Sequence, residues 1–186
     1  MRLFVAINFA GSLCDEIWNA TSVLRDAAYP VRWVPRHNIH LTLKFLGEVE
    51  ERRLEAISGC LHRCLEGLNR FDLALEDFGV FPTARDPRVV WIGCHGPPPL
   101  ELAVDAMERG FQELGFPLEK RAFRPHVTLG RVRRGAGRHH LTSLAADVAA
   151  SRFATSTIIE SIDLMESRLG GQSPQYCVRE RVGLPD

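Results

Sequence analysis

Two short segments, His40-Leu41-Thr42-Leu43-Lys44-Phe45-Leu46 and His126-Val127-Thr128-Leu129-Gly130-Arg131, decide how the chain is read. Each alternates polar with apolar side chains, the period of a β-strand that buries one face. His40 and Thr42 therefore share a face, and Ile39, Leu41, Leu43 and Phe45 are expected on the other; His126 and Thr128 are set in the same way against Val127 and Leu129. Seven histidines and seven threonines among 186 residues give about 0.3 His-x-Thr triplets by composition alone. A lone strand histidine is ordinarily a hydrogen-bonded structural residue. Two matched motifs are better explained as a functional pair.

Outward from these segments, runs rich in β-branched and aromatic residues predict strands near 3–9, 71–78, 88–94, 158–166 and 175–182, besides the two already quoted at 39–46 and 126–132. Helical spacing joins Leu13, Ile17, Thr21 and Leu24 behind a capping Ser12. It also joins Leu54, Ile57, Leu61 and Leu65, and then Leu100, Val104, Met107, Phe111 and Leu114. The last of these is opened by Pro97-Pro98-Pro99 and closed by Gly115, and a weaker helix covers about 140–150. Turn chemistry lies at Phe81–Pro87, Gly135–Gly137 and Gly170–Pro174. The order β-α-β-α-β-β-α-β-α-β-β predicts an α+β fold of antiparallel sheets with helices on the outer faces. Each half of the chain carries a helix, a His-x-Thr strand, a helix and two strands. We therefore expect a single bilobed domain over residues 1–186, with a pseudo-two-fold duplication and two sheets lining a central cleft.

Composition is that of an ordinary globular protein, 45% hydrophobic and 25% charged with a formal net charge of zero. A broad nucleic-acid-binding surface is not supported globally. Locally, however, residues 119–140 hold seven bases (Lys120, Arg121, Arg124, Arg131, Arg133, Arg134, Arg138) against the single acid Glu119. This stretch straddles His126 and suits phosphate attraction. Five scattered cysteines without a C-x-x-C pair point to reduced thiols, and Cys60 and Cys64 read as small core residues rather than metal ligands. No run approaches the roughly 20 apolar residues that span a bilayer, and the first nine residues read as a strand. A cytoplasmic protein is expected.

The two motifs in their context, Arg32-Trp33-Val34 before His40–Val49 and Phe123-Arg124-Pro125 before His126–Arg131, resemble the two-histidine (2H) phosphoesterases. Within these, the chain is similar to the RNA 2′,3′-cyclic phosphodiesterases first described as 2′-5′ RNA ligases. The resemblance continues through Arg88–Gly93, Gly115–Leu118, Leu164–Ser167 and Tyr176. It implies a bilobed fold with two antiparallel sheets around a cleft. It also implies hydrolysis of an RNA or nucleotide 2′,3′-cyclic phosphate to a 2′-phosphomonoester, with His40 as general acid and His126 as general base. Residue chemistry alone leaves that orientation open, since either imidazole, with an ordinary pKa near 6.5, suits either task.

Thr42 and Thr128 stand beside the histidines as phosphate holders. Arg131 matches an arginine of the family motif but falls on the opposite face under strict alternation, unless the strand ends or bulges; Arg124 has the right parity across Pro125. His37 reads as a loop residue. No metal ligand set accompanies the histidines, and neither a metal nor another cofactor is expected. The expected partner is an RNA with a cyclic phosphate end, bound by a monomer without a membrane. A stacking aromatic is expected among Phe9, Trp33, Phe45 and Phe123. The reverse reaction, 2′-5′ ligation, a different phosphoester substrate, and a non-catalytic RNA-binding module are the rival readings; the last needs no matched histidines.

Overall fold

A computed structural model describes residues 1–168, 170 and 174–186. Much of the turn expected over Gly170–Pro174, at Gly171, Gln172 and Ser173, lies outside the described residues. Among the described residues nine strands form: β1 (Arg2–Asn8), β2 (Val31–Trp33), β3 (His40–Glu48), β4 (Phe71–Thr83), β5 (Asp86–His95), β6 (His126–Val132), β7 (Ala154–Ile159), β8 (Ser161–Arg168) and β9 (Gln175–Gly183). The described residues also form the α-helices α1 (Gly11–Ala20), α2 (Ser22–Asp26), α3 (Leu54–Cys64), α4 (Pro98–Glu113) and α5 (Arg138–Ala150).

The α+β class and the antiparallel pairing agree with the sequence reading. The strands run in the order β7-β4-β5-β6-β3-β1-β8-β9, with β2 added beside β6. This corrects the expectation of two separate sheets: one hydrogen-bonded path runs throughout. Its two halves meet where β3 and β6 share the single residue pair Leu41↔Val127. Each His-x-Thr strand is thus central, and the two motifs are neighbours across that seam. The β4–β5 hairpin, which follows the first motif in sequence, pairs with the strand of the second motif.

Leu41, Leu43, Val127 and Leu129 are buried in one cluster with Ile17 of α1, Ile57 and Leu61 of α3, Val104, Met107 and Phe111 of α4, and Leu144 and Val148 of α5. The helices therefore cover the apolar face, and the His/Thr face is left free of them. Pro98 and Pro99 open α4, where a missing N–H costs nothing. Gly115 at φ +85° ends the same segment in the left-handed conformation.

Three details depart from the sequence reading. Ser12 makes no side-chain cap, because α1 begins at Gly11 with Ala10 as its N-cap, two residues earlier than expected. The strand expected at 158–166 is two strands broken at Glu160, which joins β4 through β7 and β1 through β8. The turn expected over Phe81–Pro87 is narrower, since β4 and β5 pair as far as Thr83↔Asp86.

Candidate active site

The two motifs present equivalent histidines. His40 follows a 3-10 turn at Arg36–Asn38, and its Nδ1–H donates to the Asn38 carbonyl 2.7 Å away. His126 follows Pro125, and its Nδ1–H donates to the Arg124 carbonyl, also at 2.7 Å. A carbonyl only accepts, so each Nδ1 carries the proton and each neutral ring presents a basic Nε2. At His40 this nitrogen lies 3.1 Å from Thr42 Oγ1. Around the Leu41↔Val127 pair, antiparallel continuation sets His40 toward Thr128 and Thr42 toward His126. The histidines stand diagonally, one on each strand.

Each ring also rests on an aromatic pair. His40 meets Phe4 at 5.1 Å and Tyr176 edge-on at 5.2 Å. His126 meets Phe81 edge-on at 5.1 Å, and Phe81 stacks on Trp91 at 4.8 Å. Such contacts limit ring rotation about χ1 and χ2 and so hold the direction of Nε2. Trp91 fits only because Gly79 lies under it: a Cβ at Gly79 would stand 2.1 Å from the indole. Burial pushes the His40 pKa below its ordinary value, and the bond to the Asn38 carbonyl opposes this in part.

A β-bulge decides which way Arg131 faces. Register with β5 passes from Trp91↔Thr128 to Val90↔Gly130, so Leu129 is an extra residue. Gly130 then turns toward the core, against Val31 and Trp33, and Arg131 joins the His126 and Thr128 face opposite Val89. Its positive charge reaches the Tyr176 phenol: burial raises that pKa, and Arg131 and then Arg2 pull it back down. Arg124 contributes its carbonyl to His126, and its side chain is exposed. Among the described residues, none of the seven bases of 119–140 forms an ion pair.

A second bulge overturns one face assignment. The register shift in β1 and β3 turns Lys44 inward, where its Nζ bonds Glu108 at 2.6 Å and the Pro117 carbonyl at 3.0 Å. Phe45 therefore does not share the apolar face of Leu41 and Leu43. It lies 63% exposed, with its ring 6.0 Å from Phe4 on the His40 side. Of the other aromatics weighed from sequence, Phe9 lines a recess beside His40, whereas Trp33 and Phe123 pack against the core. His37 is exposed in the 3-10 turn. Sequence reasoning missed the roles of Phe4, Phe81, Trp91 and Tyr176 as ring supports; Phe4 and Trp91 alternate out of phase with the buried Leu3, Val5, Val90 and Ile92, whereas Phe81 and Tyr176 keep the parity of buried positions of their strands and are separated from them by bulges.

Among the described residues no three His, Cys, Asp or Glu side chains are grouped to hold a metal ion, and no helix is long and apolar enough to cross a membrane.

The model of the 2′-5′ RNA ligase superfamily matches residues 13–171. The chain belongs to that superfamily. As a 2H phosphoesterase it is similar to the RNA 2′,3′-cyclic phosphodiesterase of Methanothermobacter thermautotrophicus, 31% identical with 95% of each chain covered. The enzyme of that name from Aquifex aeolicus is 30% identical over 99% of this chain and 97% of its own. Among solved structures, TT0787 of Thermus thermophilus superposes with a TM-score of 0.82 at 28% identity, covering 99% of this chain and 98% of its own. E. coli LigT complexed with 3′-AMP gives 0.79 at 26% identity, covering 100% and 98%. The chain is accordingly a phosphodiesterase of this superfamily.

Proposed function

We propose that this 2H phosphoesterase opens the 2′,3′-cyclic phosphate of an RNA or nucleotide end and leaves a 2′-phosphomonoester, using two histidines and no metal. The observation that carries the reading is the matched pair of imidazoles, each with Nδ1–H fixed on a carbonyl, which leaves Nε2 as the nitrogen for proton transfer. The names of the relatives support the substrate.

In the forward direction, neutral His126 takes a proton from water at Nε2 as the water oxygen forms its bond to phosphorus. The P–O3′ bond breaks on the opposite side, and the departing oxygen takes the proton of charged His40 at Nε2. The two histidines finish with exchanged protonation states. The lowered pKa of His40 favours release of that proton. A bound phosphodiester anion works in the other direction and recharges the imidazole as substrate arrives. Thr42 and Thr128 donate to the non-bridging oxygens, and Arg131, brought to the same face by its bulge, offsets their charge. Arg124 lies at the rim, available to RNA farther from the scissile phosphate. We read the chain as one bilobed domain acting as a monomer on RNA in the cytoplasm, each lobe supplying one His-x-Thr strand.

The test is product analysis by chromatography, with EDTA present, on an RNA carrying a 2′,3′-cyclic end. A 2′-phosphate end is expected at undiminished rate. Activity lost on chelation and restored by a divalent ion would overturn the metal-free scheme, and a 3′-phosphate product would reverse the acid and base assignments. Added 5′-hydroxyl RNA reports any 2′-5′ joining in the same chromatogram.

A further inference from the structure

Asn38 is 4% exposed and keeps a polar side chain inside the protein. Its amide Nδ2 donates to the Pro174 carbonyl at 2.8 Å, a contact between residues 136 apart in sequence. A carbonyl only accepts, so the amide nitrogen must face Pro174. The backbone carbonyl of the same residue is the group that accepts the Nδ1–H of His40. One residue therefore joins the chain just ahead of β9 to the ring of the first motif.

The second motif secures its anchor differently. There the accepting carbonyl belongs to Arg124, whose side chain is exposed. Arg124 precedes Pro125, which restricts it to extended backbone and fixes its own φ. The Pro125 carbonyl is held in turn by the Cys94 N–H at 3.1 Å. In the first motif Ile39 stands in place of the proline, and its carbonyl meets the Cys14 thiol, a weak donor, at 4.0 Å. Asn38 closes a 3-10 turn of three residues, with its N–H on the Pro35 carbonyl at 2.8 Å and the Ile39 N–H on the Arg36 carbonyl at 3.2 Å. Such turns have poorer hydrogen-bond geometry than an α-helix and are short for that reason. The rigidity that one motif draws from a proline ring must here come from a side chain.

We propose that Asn38 is a positioning residue for His40: by gripping the Pro174 carbonyl through its side chain, it fixes its own carbonyl beside His40 Nδ1, as Pro125 fixes that of Arg124 for His126. Which ring nitrogen carries the proton is set by the bond that the other nitrogen's side of the ring makes. Once the Asn38 carbonyl drifts, the neutral ring divides between its two tautomers. The charged ring loses the bond that aims its Nε2–H at the departing oxygen. The inference rests on the reading of His40 as the acid acting through Nε2, but the tautomer can be read without turnover.

The test reads the imidazole nitrogens of His40 and His126 by NMR of the full chain, at a pH where both rings are neutral. It is joined to kcat and KM on a nucleoside 2′,3′-cyclic phosphate. Wild-type protein should show Nδ1–H at both rings. In Asn38→Ala, and in Asn38→Leu, which fills the same space without a donor, His40 should become a mixture of tautomers while His126 keeps the wild-type signature. In both variants kcat should fall about 10-fold with KM within about two-fold, the pattern of a misaimed group. Pro125→Ala should do the opposite, disturbing His126 and sparing His40. A wild-type His40 with its proton on Nε2, a folded Asn38 variant with an unchanged His40, equal changes at both rings, or a mixed tautomer with wild-type kcat would each overturn the assignment. The expected tautomer pattern in a wild-type protein that does not turn over the cyclic phosphate would instead count against the hydrolytic reading alone.

Discussion

Gly79→Ala should damage catalysis from a position that touches neither histidine. The new Cβ would stand 2.1, 2.3 and 2.6 Å from three carbons of the Trp91 ring. A normal carbon contact is about 3.5–4.0 Å, so the indole must retreat by about 1.4–1.9 Å. Trp91 stacks on Phe81, which meets His126 edge-on, so the displacement passes through one ring to the base. Overpacking of this kind costs about 1–3 kcal/mol, or about 2–12 °C in Tm for a chain of this size. Misplacing a reacting group by about 1 Å costs up to about 100-fold in rate, and we expect kcat to fall at least about 10-fold.

The assay is kcat and KM on a nucleoside 2′,3′-cyclic phosphate, with Tm by calorimetry, for Gly79→Ala, Trp91→Leu and the double variant. Removing the indole removes the clash, so the double variant should be more stable than the sum of the single effects requires. A Gly79→Ala protein with wild-type Tm and kcat within about two-fold would refute the chain of contacts from Gly79 to His126.

Three further outcomes follow from the same geometry. Each of His40→Ala and His126→Ala should lower kcat by at least about 100-fold, the lower end for loss of a general acid or base; near wild-type turnover in either would end the two-histidine scheme. The folded state disfavours the His40 proton, so the unfolded chain binds more protons as pH falls below the ordinary imidazole value of 6.5. Stability should therefore decline below that pH, and less steeply in His40→Asn; parallel Tm curves for the two proteins would contradict it. Lys44→Ala strands Glu108 beside the core and should cost about 2–4 kcal/mol, with activity per folded molecule retained, whereas an unchanged urea midpoint would show the pair to be dispensable.

What the sequence made legible was local. Alternation from His40 to Thr42 and from His126 to Thr128 placed the histidines and threonines on one face because the bulges at Leu43 and Leu129 fall only after the threonines. Beyond them alternation failed at Phe45 and succeeded only conditionally at Arg131, since an extra residue in a strand reverses every later side chain. The single continuous sheet could not be read from strand order, because its seam is one backbone pair between segments 86 residues apart, Leu41 and Val127. Strand β2 is three residues long and carries almost no periodic signal. Asn8, Asp163 and Arg181 converge from β1, β8 and β9, and nothing in their local spacing announces it.

The carbonyl that holds each imidazole comes from the residue two places upstream, whereas the rings that aim it come from other strands. Tautomer and aim are thus inherited separately. The first travels with a three-residue segment and survives any change elsewhere that leaves the backbone of that segment in place. The second depends on distant packing and erodes as the fold loosens. Mutational drift in the body of this protein should accordingly produce enzymes whose histidines still carry the proton on the correct nitrogen but point it less well.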